Sequence, residues 1–302
     1  MNWNRLLSFA GVLFLGFSAQ AQMAYDELLH ASYEFMDRAR IIGTAIGLDR
    51  EQFNFSGQYG FPLNDQDDQL NLGLNYQGIE WEPEHFWNQP VSVYNAGAHI
   101  KWLNHWKNPN WASTISIEGN AVTAYHFGHH TDFQTALSAR FHYGKSEKRV
   151  WTFGLFYSDQ PFGPWVYPVL GVDWRLANRL YFSTILLEHA YLEYAVKPKV
   201  WYTGIDLRQM GLSFVFGQFE GFEDSYFTSF SDQFPFSPYV ISVFNDVYLK
   251  EHFTLFVKAG YLVSRRNRHF SRFNNEFSSI YNREVMDSIY LQTGLAFRIR
   301  HF

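Results

Sequence analysis

The sequence predicts an all-β chain: a transmembrane antiparallel up-and-down β-barrel of about 14 strands, with 12 as the competing count. Three observations predict it. Aromatic residues make up 20% of the chain, more large rings than a water-soluble core absorbs easily, whereas the lipid-facing surface of a barrel is girdled by them. Period-two alternation recurs in segments of about 10 to 12 residues, the length a tilted strand needs to cross the hydrocarbon layer. The connections alternate between tight and long, as the two ends of such a barrel require.

Composition excludes other classes. The chain has 302 residues, a net charge of -5 and no cysteine. Its mean hydropathy is slightly negative, and no later run approaches the about 20 apolar residues of a membrane helix. Without cysteine there is no disulfide scaffold, thiolate metal site or cysteine nucleophile. Mild acidity excludes nucleic acid as a main partner, because phosphate binding needs clustered Lys and Arg.

Residues 1–21 read as an address. Arg5 precedes an apolar run over 6–17, and Ser18-Ala19-Gln20-Ala21 closes it with small residues. A basic start, an apolar stretch of roughly 12 residues and an Ala-x-Ala end match a secretory signal peptide and fall short of a membrane span. The expected organisation is therefore a signal peptide at 1–21 and one β-barrel domain at 22–302, with no linker.

Along that domain the alternation is explicit. In residues 26–38, Ala31, Tyr33 and Phe35 alternate with polar neighbours. Leu70, Leu72, Leu74 and Tyr76 alternate with Asn71, Gly73, Asn75 and Gln77, and Tyr94, Ala96, Ala98, Ile100 and Trp102 with Asn95, Gly97, His99 and Lys101. Leu137, Ala139, Phe141 and Tyr143 interleave Ser138, Arg140 and His142. Val166, Pro168, Leu170, Val172 and Trp174 follow, then Leu255, Val257, Ala259 and Tyr261 around Lys258 and Gly260. A β-sandwich would carry a densely charged outer face. Here the polar face is rich in Gly, Asn and Ser, as a barrel lumen is, and the apolar face begins or ends in rings such as Trp151 and Tyr157. Two stretches, 33–47 and 201–219, each read as one long strand or two. Tight joins fall at 144–148, 177–178, 197–199 and 250–252, and longer links at 160–164, 220–237 and 265–287.

Two features resemble known outer-membrane barrels. The last strand, 288–302, ends in Phe302, and a terminal aromatic residue resembles the assembly signal of Gram-negative outer-membrane proteins. Arg298 and Arg300 stand where that signal usually has apolar residues, and Phe302 is out of phase with Phe297 and Ile299. The runs Phe162-Gly163-Pro164, Pro168-Val169-Leu170-Gly171-Val172-Asp173-Trp174 and Leu176-Ala177-Asn178 are similar to a pattern in a family of uncharacterised Gram-negative outer-membrane β-barrel proteins, defined by a domain of unknown function. That resemblance implies the fold and a bacterial outer-membrane location, and it implies no catalytic residue.

Candidate constellations are few. His126-Phe127-Gly128-His129-His130-Thr131-Asp132 has the ligand types for zinc or copper, but adjacent ligands at a strand tip lack a supporting shell, and a solvated loop facing lipid headgroups is the stronger reading. Asn64-Asp65-Gln66-Asp67-Asp68 alternates acids yet lacks the Gly and closing Glu of a calcium loop, which favours a polar turn. His142, Asp173, Asp206 and Asp246 supply acid–base groups, while no Gly-x-Ser-x-Gly run marks a nucleophile. No residue is assigned as catalytic, cofactor-binding or metal-ligating.

The inward charges His99, Lys101, Glu118, Arg140, Asp173, Arg175, Glu193, Lys258, Arg298 and Arg300 form either a network that plugs the lumen or a polar conduction path. The leading function is thus a passive polar pore or a structural or assembly barrel. A lipid- or peptide-processing enzyme is one rival, and a surface-binding protein acting through loops 220–237 and 265–287 is the other. Implied partners are outer-membrane lipids and lipopolysaccharide, the barrel assembly machinery and periplasmic chaperones. Arg265, Arg266, Arg268 and Arg272 in the later loop suit lipopolysaccharide phosphates, or else a lid closed against the acidic loop 220–237.

Overall fold

The computed structural model describes residues 25–40, 47–64, 68–83, 91–125, 130–146, 148–160, 163–186, 188–209, 214–216, 227–229, 239–262, 266–273, 276–284 and 288–300. The expected signal peptide lies outside the described residues, as does His126 to His129 of the histidine-rich run.

The wall is a closed antiparallel barrel of 14 strands, which settles the count against 12. Its strands are β1 (Tyr25–Arg40), β2 (Gly47–Pro62), β3 (Gln69–Pro83), β4 (Val91–His105), β5 (Trp111–Tyr125), β6 (His130–Ser146) and β7 (Arg149–Gln160). They continue as β8 (Gly163–Ala177), β9 (Leu180–Ile185), β10 (His189–Lys197) and β11 (Trp201–Gln209). The remaining wall strands are β14 (Tyr239–Tyr248), β15 (Phe253–Leu262) and β18 (Ile289–Arg300), the last pairing back onto β1 from Tyr25↔Arg300 to Asp37↔Ile289.

Four further strands form a second sheet outside the wall. They are β12 (Phe214–Phe216), β13 (Phe227–Ser229), β16 (Arg266–Phe273) and β17 (Glu276–Glu284), in the order β12-β13-β16-β17. The ambiguous stretch 33–47 therefore splits between β1 and β2, and 201–219 between β11 of the wall and β12 of the second sheet. The two segments expected as plain loops contribute β13, β16 and β17. The link expected at 160–164 is shorter than foreseen, because β7 runs to Gln160 and β8 begins at Gly163.

Alternation fixes the two faces. Leu255 is 41% exposed and Val257 47%, whereas Phe256 between them is 1% exposed. Lipid is the environment in which outward apolar side chains carry no penalty, and among the described residues the wall strands pair with their neighbours around the whole barrel, the upper part of β8 on its β9 side excepted. Aromatic rings gather at the end that carries the short turns: Trp111 lies 4.8 Å from Tyr143 and 5.8 Å from Phe153 between ring centroids, and Trp106 lies 6.2 Å from Trp111. Tyr76 and Tyr94 pair toward the opposite, loop end at 6.4 Å. Inward glycines make room for rings in the lumen. A Cβ on Gly294 would collide with the Phe256 ring, and one on Gly204 with Phe244.

The turn end is pinned by specific bonds. The Asp68 carboxylate accepts the His105 amide at 2.6 Å and the Asn64 side-chain amide at 2.8 Å, while residues 65–67 of the acidic run lie outside the described residues. Pro198 and Lys199, the latter at a φ of 67°, turn β10 into β11, and the Val200 amide closes on the Lys197 carbonyl at 3.0 Å. Face assignment has a direct check. Val257→Arg places a guanidinium on the lipid face and should destabilise the folded barrel by about 2–4 kcal/mol if it lies near the midplane. Denaturant titration in lipid vesicles measures this, and an unchanged midpoint would mean the strand register is wrong.

Candidate functional site: the lumen

All ten charges expected to face inward occupy inward positions, and the barrel sorts them into two halves. On the side formed by β10, β11, β14, β15, β18 and β1, ion pairs fill the interior. Arg298 is 3% exposed; it donates to Glu27 at 2.7 Å and to Asp246 at 2.5 Å. Arg300 grips Glu193 through both terminal nitrogens at 2.7 and 2.8 Å, donates to the Tyr248 hydroxyl at 2.7 Å, and lies over the Tyr202 ring at 3.3 Å. Lys258 donates to Asp206 at 2.6 Å.

Glu34 joins the closing strands. It accepts from Gln292 at 2.9 Å, Asn54 at 3.0 Å and Arg208 at 3.0 Å, and Arg208 also donates to the Tyr290 hydroxyl. Buried charge is tolerable only when it is paired in this way. Sequence patterning placed these groups in the lumen but missed Glu27, Glu34 and Arg208, whose partners lie many strands away along the chain.

The other half, formed by β4 to β8, holds a cavity of about 530 Å³ lined by His99, Lys101, Glu118, Arg140, His142 and Asp173 among others. Lys101, Ser116 and Ser138 sit opposite one another on β4, β5 and β6, and the two serine hydroxyls are 2.8 Å apart. Glu118 accepts from Asn120 at 2.9 Å and Asn75 at 3.4 Å. Lys101 has no hydrogen bond or ion pair among the described residues, although Asp26 lines the same cavity.

The acid–base candidates are spread apart and individually engaged. His142 sits between the hydroxyls of Thr114 and Thr152, each at 3.0 Å. Asp173 accepts from Ser183 at 2.6 Å and Tyr181 at 2.9 Å. Asp206 and Asp246 belong to the ion pairs of the other half.

Arg140 on β6 reaches across β7 and β8 to Glu188, in the tight β9–β10 turn at the loop end, at 3.2 Å. The position opposite Arg140 on β7 is Gly154, followed on β8 by Val169, so no bulky side chain on β7 obstructs that reach. At the loop end the second sheet spans the interior. β13 meets β16 at Thr228↔Phe270, and β12 lies against β5 and β6, across the barrel from the β11 strand that precedes it. The two long loop segments are therefore joined by backbone pairing.

No family model matches the chain, and no curated protein matches it. In structure it is similar to an outer membrane channel from Pseudomonas putida F1, with 10% identity over 93% of this chain and 100% of that one and a TM-score of 0.47. It is also similar to the translocator domain of the autotransporter NalP from Neisseria meningitidis, with 7% identity over 98% and 94% of the two chains and a TM-score of 0.35. The resemblance on residues 162–178 gains no family name from these likenesses.

The ion-pair half has a quantitative consequence. Arg298→Met strands Glu27 and Asp246 without their cation and should cost about 3–5 kcal/mol. Adding Asp246→Asn should recover part of that loss, because two groups in contact are not additive. Urea unfolding of the two single variants and the double variant measures it, and single losses that simply add in the double variant would show that Arg298 and Asp246 do not interact.

Proposed function

We propose that this chain is an integral outer-membrane barrel acting as a restricted polar channel, exported by residues 1–21 and oriented with the short turns in the periplasm. The observation that carries this reading is the division of the lumen. A plugged structural barrel would be packed on every side, whereas here a polar cavity of about 530 Å³ stands open beside the ion-pair half. A 14-stranded wall lies between the about eight strands that side chains fill and the 16 to 18 that leave a wide aqueous channel. A small and regulated path suits that size.

The second sheet limits the path at its outer mouth. A lid acting through it accounts for the pairing of the two loops by geometry, whereas contact of Arg265, Arg266, Arg268 and Arg272 with lipopolysaccharide phosphates rests on charge alone. Both readings are compatible with surroundings of outer-membrane lipid and lipopolysaccharide, and with delivery by periplasmic chaperones to the barrel assembly machinery. The enzyme reading lacks a nucleophile–base pair among the four acid–base groups that the sequence singled out.

Planar-bilayer recording of the refolded protein tests the proposal. The intact chain should give small, intermittent conductance. Replacing the β16–β17 hairpin with a short Gly-Ser turn should raise single-channel conductance severalfold by opening the mouth. A silent intact protein whose hairpin variant is equally silent would leave the structural-barrel reading standing and end this one.

A further inference from the structure

The wall has a gap. β8 pairs with β7 along its whole length, from Gln160↔Gly163 to Arg149↔Trp174, but with β9 only from Gly171↔Ile185 downward. The chain then turns at the loop end into β10, whose first residue is His189. Among the described residues, 163–170 of β8 therefore have no strand on their β9 side, an open edge of about 26 Å at roughly 3.3 Å per residue.

The gap faces lipid. Leu170 stands opposite Phe153, which stands opposite Phe141, then Ser113, then Asn104 at the turn end of β4. Four steps of about 4.8 Å between strands tilted by about 40° put Leu170 about 12 Å above that end, near the middle of an apolar band about 25 Å tall. The same stagger lifts the wall again on β11 and β14, which leaves the β9–β10 hairpin as the low point.

An open edge in hydrocarbon exposes unpaired backbone groups at several kcal/mol each, and the sequence removes part of that cost. The Leu186 amide donates to the Leu170 carbonyl at 2.7 Å, so even-numbered residues of β8 direct their backbone groups to the open side. Pro164 and Pro168 share that parity. Each lacks an N–H, as edge strands favour, and the only amide donor between Pro164 and Pro168 on that side is that of Val166. The carbonyls of 164, 166 and 168 remain and need water or a polar ligand.

Beneath the gap lies the Arg140–Glu188 pair, and the cavity reaches Ile185 at the top of β9 as well as Arg140 and Lys101, which has no bonded partner among the described residues. Outside it, Val166 is 65% exposed. The route therefore runs from an apolar lip through a charged latch to an amine without a counter-ion within bonding distance.

We propose that the barrel admits an anionic single-chain amphiphile sideways from the outer leaflet, between β8 and the β9–β10 hairpin. The tail stays against the Val166 and Leu170 lip, while the head displaces Glu188 from Arg140 and reaches Lys101. This goes beyond the channel reading, because sideways loading requires neither axial conductance nor movement of the second sheet.

The test uses the refolded full chain in lipid vesicles with a dansyl-labelled undecanoic acid as the probe. The natural chain has no cysteine, so single thiols can be placed cleanly. Val166→Cys carrying a maleimide-linked polyethylene glycol should slow probe loading at least tenfold, whereas the same adduct on Leu72→Cys, on the lipid face of β3, should not. Lys101→Ala should weaken probe binding about tenfold, leave the matching dansyl alcohol unaffected and retain the unfolding midpoint within the spread of the natural chain. Dodecyl phosphate should compete with the probe, and inorganic phosphate should not. Equal loading with both adducts, or unchanged binding in Lys101→Ala, would overturn sideways admission. Conductance recorded on the same Val166 adduct keeps the two proposals apart, since a blocked gap leaves an axial current intact.

Discussion

The pairing of β1 with β18 is the constraint on which the rest of the structure depends. While Tyr25 to Asp37 lie against Ile289 to Arg300, the sheet has no terminal edge and nearly every backbone polar group in the wall is satisfied by its neighbour. Glu34 and Gln292 tighten that seam from inside, bonded to each other at 2.9 Å, and Ser288 donates to the Asp37 carbonyl at 2.5 Å at its upper end. Closure converts a period-two sequence into an apolar outside and a polar inside. The polar inside must then pair its charges or leave them beside open space; ion pairs fill one half of the lumen, and the cavity occupies the other.

The asymmetry of the lumen follows from which residues share a level. Arg298 and Arg300 come down β18 toward Asp246 on β14 and Glu193 on β10, and guanidinium forks matched to carboxylates fill the space between them. On the opposite wall several inward positions between the charged groups are short hydroxyl residues, such as Thr114, Ser116 and Ser138, or glycine at 154 and 171. They project little into the lumen and leave the cavity open. The second sheet and the low β9–β10 hairpin are complementary: one restricts the end of the barrel, and the other interrupts its side.

Much of this architecture was legible in the sequence because alternation is a local property. The faces of 70–77, 94–102, 137–143 and 253–262, the tight turns and the inward set of charges all follow from one residue and its neighbours. What was not legible depends on distant partners. Glu34 is ordinary in sequence until Arg208 and Gln292 arrive from elsewhere in the chain, and the pairing of Thr228 with Phe270 joins segments whose composition resembles surface loops. The gap beside β8 did leave a mark. Two prolines of one parity inside an alternating run indicate a strand edge rather than a strand centre, and the alternation of Val166, Leu170 and Val172 around them concealed that indication.

The central claim is a closed transmembrane barrel in the outer membrane, and its most direct test is electrophoretic mobility of protein extracted from outer-membrane fractions, with and without boiling. A closed wall with no terminal edge withstands detergent at room temperature, so the account predicts a compact unboiled band that shifts to the mobility of the unfolded chain after heating. Recovery of the protein in the soluble periplasmic fraction, with identical mobility before and after boiling, would contradict it.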